Sequence, residues 1–376
     1  MQHILSTLVV AWPIETVAAV GEDRGPTYSK ANLDKSLFNW TDTKAIGSIP
    51  QVNHTYGYVE GVYGIMNEHQ LGIGESTCGA KLWTKPVSQG GKALLDITEL
   101  GRIALERTKT AKEAILLMGR LAEQYGYYGA SWDSADGAMD EAGEALTVAD
   151  PKEGWMFHIL PDDSGTSAVW VAQRVPDNHI TAIANQFVIR HINLTDSDNF
   201  LGSSNIFDVA IRNSFWDSTT PFDFTAAYAL RESNPYTMTR RVWRILSLAN
   251  STIDLSPFTD AIATNYPFGP YAPSDTAYFP IYPKVSAVPD VASRGSLHAF
   301  DMSAAFWLNA LIGNYASRYY KFTQPVVRAA QLRIEAKALE AQPAIHDKAL
   351  SIFQSQGDEA LETYLTNVCT SFAADA

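Results

Sequence analysis

The chain of 376 residues is 46% hydrophobic and 18% charged, enough apolar material for a sizeable core and a composition that argues against disorder. A net charge of −13 and a pI near 5.0 argue against nucleic acid or an anionic membrane as partner. Two cysteines, Cys78 and Cys369, exclude a disulfide scaffold and a cysteine-rich zinc site, and no H-E-x-x-H or comparable histidine spacing supports a metal-dependent peptidase.

In chain order, residues 4–19 form a moderately apolar run that ends in Thr16-Val-Ala-Ala19, a small-residue pattern of the kind signal peptidases cut. No Lys or Arg precedes it, and Trp12, Pro13 and Glu15 interrupt it. The run and the N-x-[ST] sequons at Asn39, Asn53, Asn193 and Asn250 suit a secretory or vacuolar/lysosomal route. The missing basic residues leave a cytoplasmic location open. No stretch is long and apolar enough to span a bilayer. Residues 20–50 read as polar loop, and 1–48 as an atypical N-terminal segment, signal-like or truncated.

From Thr55 to Tyr63 the pattern is that of a strand. A turn at Asn67-Glu-His-Gln70 and renewed alternation from Leu71 to Glu75 complete a hairpin. Its glycines imply close backbone approach. Leu94, Leu95, Ile97, Leu100, Ile103 and Ala104 recur at helical spacing, with Arg107 closing the helix. Thr110-Ala-Lys-Glu113 is a capping box that opens a second helix, and Gly126 is its stop. The acidic stretch Asp133–Glu144 lacks the order of a calcium loop and reads as solvated loop. Strands are expected at 145–149 and 155–160, joined by the turn Asp150–Gly154, then at 168–173 and 179–184. Helices follow from about Ser303 to Tyr320 and from Pro325 onward. Hairpin-joined strands with helices packed outside imply antiparallel sheets in a layered α+β fold.

Generic catalytic motifs are missing: there is no G-x-S-x-G elbow, Walker A loop or strand-linked G-x-G-x-x-G. Gly74-Glu-Ser-Thr-Cys-Gly79 places Ser76 and Cys78 at a strand end, where the plain reading is a strand leaving its sheet. Longer stretches carry a resemblance. They are Ile49-Pro-Gln-Val-Asn-His-Thr-Tyr-Gly-Tyr58, Met66-Asn-Glu-His-Gln-Leu-Gly-Ile-Gly-Glu-Ser-Thr77 and Glu99-Leu-Gly-Arg-Ile-Ala-Leu-Glu-Arg107. Leu146-Thr-Val-Ala-Asp-Pro-Lys-Glu-Gly-Trp155, Trp170-Val-Ala-Gln-Arg-Val-Pro-Asp177 and Ala184-Asn-Gln186 continue it. Arg240-Arg-Val-Trp-Arg244, Phe279-Pro-Ile-Tyr282 and Ala305-Phe-Trp307 complete it, in order, over roughly 49–321. Together they resemble the cysteine-type dipeptidase family that includes dipeptidase A and the secernins.

The resemblance implies a four-layer αββα sandwich of the N-terminal-nucleophile hydrolase type over 49–322, followed by a helical C-terminal extension over 323–376. It implies hydrolysis of short peptides, with no metal or organic cofactor, and leaves the oligomeric state open. The family's nucleophile is a cysteine at the mature N-terminus, whose free α-amino group activates the thiol. By position in such a fold, Asn185 and Thr77 are expected as oxyanion donors, and Arg241 or Arg244 as the partner of a substrate carboxylate. The departure is at the start, because residues 1–20 contain no cysteine. Cys78 lies inside a strand-end motif and Cys369 near the C-terminus. Ser6-Thr-Leu-Val-Val10 has the shape of the family's opening strand, and cleavage after Leu5 would expose Ser6 as nucleophile. Two functional expectations stand side by side: a dipeptidase whose nucleophile is missing from this chain as written, and a non-catalytic homologue or truncated form that binds peptides or proteins through the same pocket.

Overall fold

The structure, a computed structural model, describes residues 15–17, 47–61, 63–85, 89–129, 142–230, 242, 246, 277–282, 284–294 and 299–375. Ser6, Arg241, Arg244 and the acidic residues 133–141 lie outside the described residues. Among the described residues there is one antiparallel sheet, with strands in sequence order. They are β1 (Glu15–Val17), β2 (Tyr58–Gly61), β3 (Tyr63–Asn67), β4 (Gly72–Cys78), β5 (Gly143–Ala149), β6 (Gly154–Pro161), β7 (Ala168–Val175) and β8 (Phe200–Gly202). The α+β class and the antiparallel pairing are as the sequence predicts.

Helices α1 (Ile97–Arg107) and α2 (Ala111–Tyr125) fall between β4 and β5 in the chain. Asp96 caps α1 by accepting the Glu99 N–H at 2.7 Å. At α2 both halves of the predicted capping box form, and Gly126 ends the helix at φ 78°, a backbone angle that glycine adopts without strain. The turn between β5 and β6 is built on Asp150, whose Oδ1 accepts the N–H groups of Lys152 and Glu153. Its Oδ2 accepts Ala111 N–H at 2.8 Å, so one carboxylate ties the hairpin to the start of α2.

Strand alternation separates two cores. Leu146, Val148, Trp155, Phe157, Ile159 and Trp170 face α1 and α2. At Gly119 a methyl group would collide with the Trp170 indole, so α2 lies close against β7. Cys78, Ala145, Met156, Leu160, Val169 and Val171 point to the opposite face. There they meet Phe187, Ile189, α3 (Ile206–Arg212) and α4 (Phe224–Tyr228).

Three predicted boundaries are corrected. The strand expected over 55–63 divides into β2 and β3, which pair with each other with Gly61 opposite Tyr63. Glycines at 61 and 64 allow that tight reversal. Residues 179–184 form no strand, because the backbone that follows them bonds to side chains and to α4 instead of a ladder: Arg190 and Ile189 carbonyls accept from Phe224 and Thr225. Pro325 does not begin a helix; it lies inside α7 (Tyr320–Gln356), as does Pro343. Each proline removes one intrahelical donor, and a helix of 37 residues retains enough bonds to run through both.

The remaining helices are α5 (Asp290–Ser293), α6 (Ala305–Arg318) and α8 (Asp358–Asp375). Ile281, Tyr282, Val285, Ile345, Leu365 and Cys369 form a third core, onto which Ile65 of β3 packs. No helix among the described residues is long and apolar enough to cross a membrane.

Candidate active site

The site is assembled where β4 ends. Because successive side chains of a strand alternate, Ser76 and Thr77 point to opposite faces. On one face the Ser76 hydroxyl oxygen accepts the Asn185 N–H at 2.6 Å. The Asn185 side-chain amide then donates to the Thr77 carbonyl at 2.8 Å. Asn185 has φ 52°, the left-handed region, which asparagine tolerates better than most residues. The structure thus brings together two of the predicted residues, Asn185 and Thr77. Asn185 does not terminate a strand, as the sequence suggested; it sits in an irregular segment pinned to the sheet by side chains.

Thr77 has a second role. Its hydroxyl donates to Glu75 at 2.7 Å, on the face that carries Glu144 directly opposite Thr77. Glu144 was expected in a solvated loop. It is instead the second residue of β5 and fully buried, because the strand begins two positions before the apolar pattern shows. Burial first, and the neighbouring Glu75 second, push its carboxyl well above the ordinary range and favour the protonated form.

The unfolded chain loses the Glu144 proton near its ordinary value of 4.5, whereas the folded chain holds it to higher pH. Above that value the native state binds the extra proton, and stability falls as pH rises, by up to about 1.4 kcal/mol per pH unit. Glu144→Gln is expected to remove this slope and to stabilise the protein more at pH 8 than at pH 5. Urea midpoints across that range decide it; a wild-type-to-Gln difference that ignores pH would overturn the buried acid.

Neither cysteine has the surroundings of a nucleophile. Cys78 is buried on the face opposite α1 and α2, and its thiol donates to the Ser76 carbonyl at 3.1 Å. Burial, followed by the nearby carboxyl groups of Glu144 and Glu75, raises its pKa well above that of an ordinary thiol. Cys369 lies buried in α8 and is pushed up to about 11 by burial. Reactive cysteines have the opposite setting, exposed and electropositive.

Ser76 also belongs to this junction; the glycine-flanked motif marks it in the sequence, where its plain reading is a strand leaving its sheet. His158, in β6, accepts the N–H groups of Val188 and Ile189, close after Asn185 in the chain, and a histidine in a buried strand carries no local signature of such partners. No group of three or more potential metal ligands occurs among the described residues.

The profile of peptidase family C69 matches residues 33–268, which include every element that builds this site. The chain belongs to peptidase family C69. Among its relatives, a probable dipeptidase of Latilactobacillus sakei is 28% identical over 156 residues, 41% of this chain and 29% of that protein. A probable dipeptidase of Salmonella dublin is 28% identical over 156 residues, 40% of this chain and 31% of the relative. Probable dipeptidase A of Streptococcus pyogenes serotype M3 (strain SSI-1) is 25% identical over 165 residues, covering 43% and 31%. The match spans less than a third of the length of these relatives.

Proposed function

We propose that this C69 chain serves dipeptide hydrolysis, within the four-layer αββα frame of the N-terminal-nucleophile hydrolases over 49–322, with 323–376 as an extension. The observation that carries the reading is the Ser76–Asn185–Thr77 junction. It holds an amide side chain on a left-handed backbone residue against the end of β4, inside the family-matched region. In acyl transfer a nucleophile adds to the peptide carbonyl, and the negative charge that grows on its oxygen needs preset donors. Asn185 is the proposed donor. Thr77 positions it through its backbone carbonyl, while the Thr77 hydroxyl is directed to Glu75. Arg241 or Arg244 is proposed to pair with the substrate's terminal carboxylate. An N-terminal nucleophile would supply both the attacking atom and, through its α-amine, the base that takes its proton. Ser6, exposed by cleavage after Leu5, is one such nucleophile to test.

The burial and raised pKa of both cysteines favour a second reading, a peptide-binding homologue without turnover. A panel of dipeptides incubated with the purified chain, with N-terminal sequencing of the same sample, separates the two. Turnover is expected, and if Ser6 is the first residue of the active species then Ser6→Ala should abolish it. Saturable dipeptide binding without hydrolysis would favour the binding role. Neither binding nor turnover would sink both readings.

A further inference from the structure

His158 lies in the middle of β6 and is fully buried, with the rings of Phe187 and Phe224 at 5.0 and 6.2 Å. An aliphatic side chain would fill such a place without the desolvation cost of an imidazole. Its hydrogen bonds account for the choice. Nδ1 lies 3.1 Å from the Phe157 carbonyl, which can only accept, so Nδ1 carries the proton. Nε2 is therefore an acceptor, and it receives the N–H groups of Val188 at 2.8 Å and Ile189 at 3.1 Å. Burial lowers the pKa to about 3, so the ring stays neutral and the acceptor persists across the working pH range.

The sheet register gives these bonds a direction. Ser76 pairs with Ala145, and Ala145 with His158, so the three form one row across β4, β5 and β6. Ser76 takes the N–H of residue 185 at one end of the row, and His158 takes those of 188 and 189 at the other. Two strand spacings are about 10 Å, the span of three extended residues. Between the anchors the chain passes over β5, where the small side chain of Ala145 faces it. At Gly143 a Cβ would come within 2.7 Å of the Phe187 ring, so the absence of a side chain there lets Phe187 descend.

We propose that His158 is a positioning residue for Asn185: its Nε2 and the Ser76 hydroxyl clamp residues 185–189 across three strands and set where the Asn185 amide points. The proposal rests on the dipeptidase reading of Asn185, and its test separates the two. In His158→Leu the Val188 and Ile189 amides lose their acceptor, whereas His158→Gln places an oxygen close to the position of Nε2. Amide hydrogen exchange at residues 185–189 should accelerate in the Leu variant while the β5 and β6 amides stay protected. For dipeptide hydrolysis per folded molecule, kcat should fall about ten- to a hundred-fold with KM little changed. The Gln variant should recover most of both.

Unchanged exchange at 188 and 189, unchanged kcat in the Leu variant, or no rescue by Gln would each overturn the proposal. Absence of turnover in the wild-type protein would count against the dipeptidase reading alone, and the exchange data would then decide His158. Should the Leu variant fail to fold, nitrogen NMR of histidine-labelled wild-type protein remains decisive. It should show a protonated Nδ1 and an unprotonated, hydrogen-bonded Nε2; the reverse tautomer would refute the clamp.

Discussion

Under the proposed dipeptidase function, deleting the Asn185 amide is expected to lower kcat for dipeptide hydrolysis by about 10²–10³-fold, the cost of removing one oxyanion donor. The choice of substitution matters, because Asn185 sits at φ 52°. Alanine there would add a backbone penalty of about 1 kcal/mol, and any loss of activity would mix strain with chemistry. Asn185→Gly keeps the left-handed backbone and the N–H that Ser76 accepts, while removing the amide. Asn185→Asp keeps the shape and replaces the donor by an acceptor, facing the Thr77 carbonyl. Both should lose kcat, with the Asp variant also less stable because two acceptors oppose each other. Steady-state kinetics on folded protein decide the matter. A glycine variant that retains wild-type kcat would remove Asn185 from the chemistry and leave it a purely structural residue.

Asn67→Ala is expected to cost about 3–4 kcal/mol of stability. The side chain is fully buried and satisfied on both sides. Its Nδ2 donates to the carbonyls of Leu105 and Thr108 at 2.8 and 2.9 Å. Its Oδ1 accepts the N–H groups of His69 and Leu71 at 3.0 and 3.1 Å. One amide therefore closes the β3–β4 turn and fastens it to the end of α1. Alanine strands two acceptors and two donors, each costing about 1 kcal/mol. Urea unfolding should show a lower midpoint at unchanged slope. Asn193→Ala serves as a control, since that side chain bonds only within its own exposed turn, to Thr195, and should shift stability by less than about 0.5 kcal/mol. A loss below about 1 kcal/mol at Asn67 would show that the turn and α1 do not depend on this link.

The features legible in the sequence are those whose hydrogen bonds close locally. Thr110 and Glu113 lie three residues apart and cap α2 as their spacing predicts. Asp150 reaches Lys152 and Glu153, so its turn could be read directly. Short apolar runs bounded by turns were enough to place β6 and β7, because strands buried on both faces are apolar at nearly every position. The ordered string of short motifs likewise carried the family, which the match over 33–268 confirms.

The parts that escaped are those whose partners are distant in the chain. Residues 179–184 have strand composition, yet composition carries no information about whether a neighbouring strand is present to pair with them. Glu144 looked solvent-exposed because the acidic run before it is polar, and only the register with Thr77 places it inside. Ser76 and Asn185 are separated by 109 positions, and His158 lies 30 and 31 positions from the amides it receives. The sequence by itself determined the helix caps, the turns, the antiparallel class and the family, because each rests on short-range geometry or on residue order. Only the tertiary structure decided which partners the residues of the candidate site meet, because a buried polar group bonds to whatever folding brings to it.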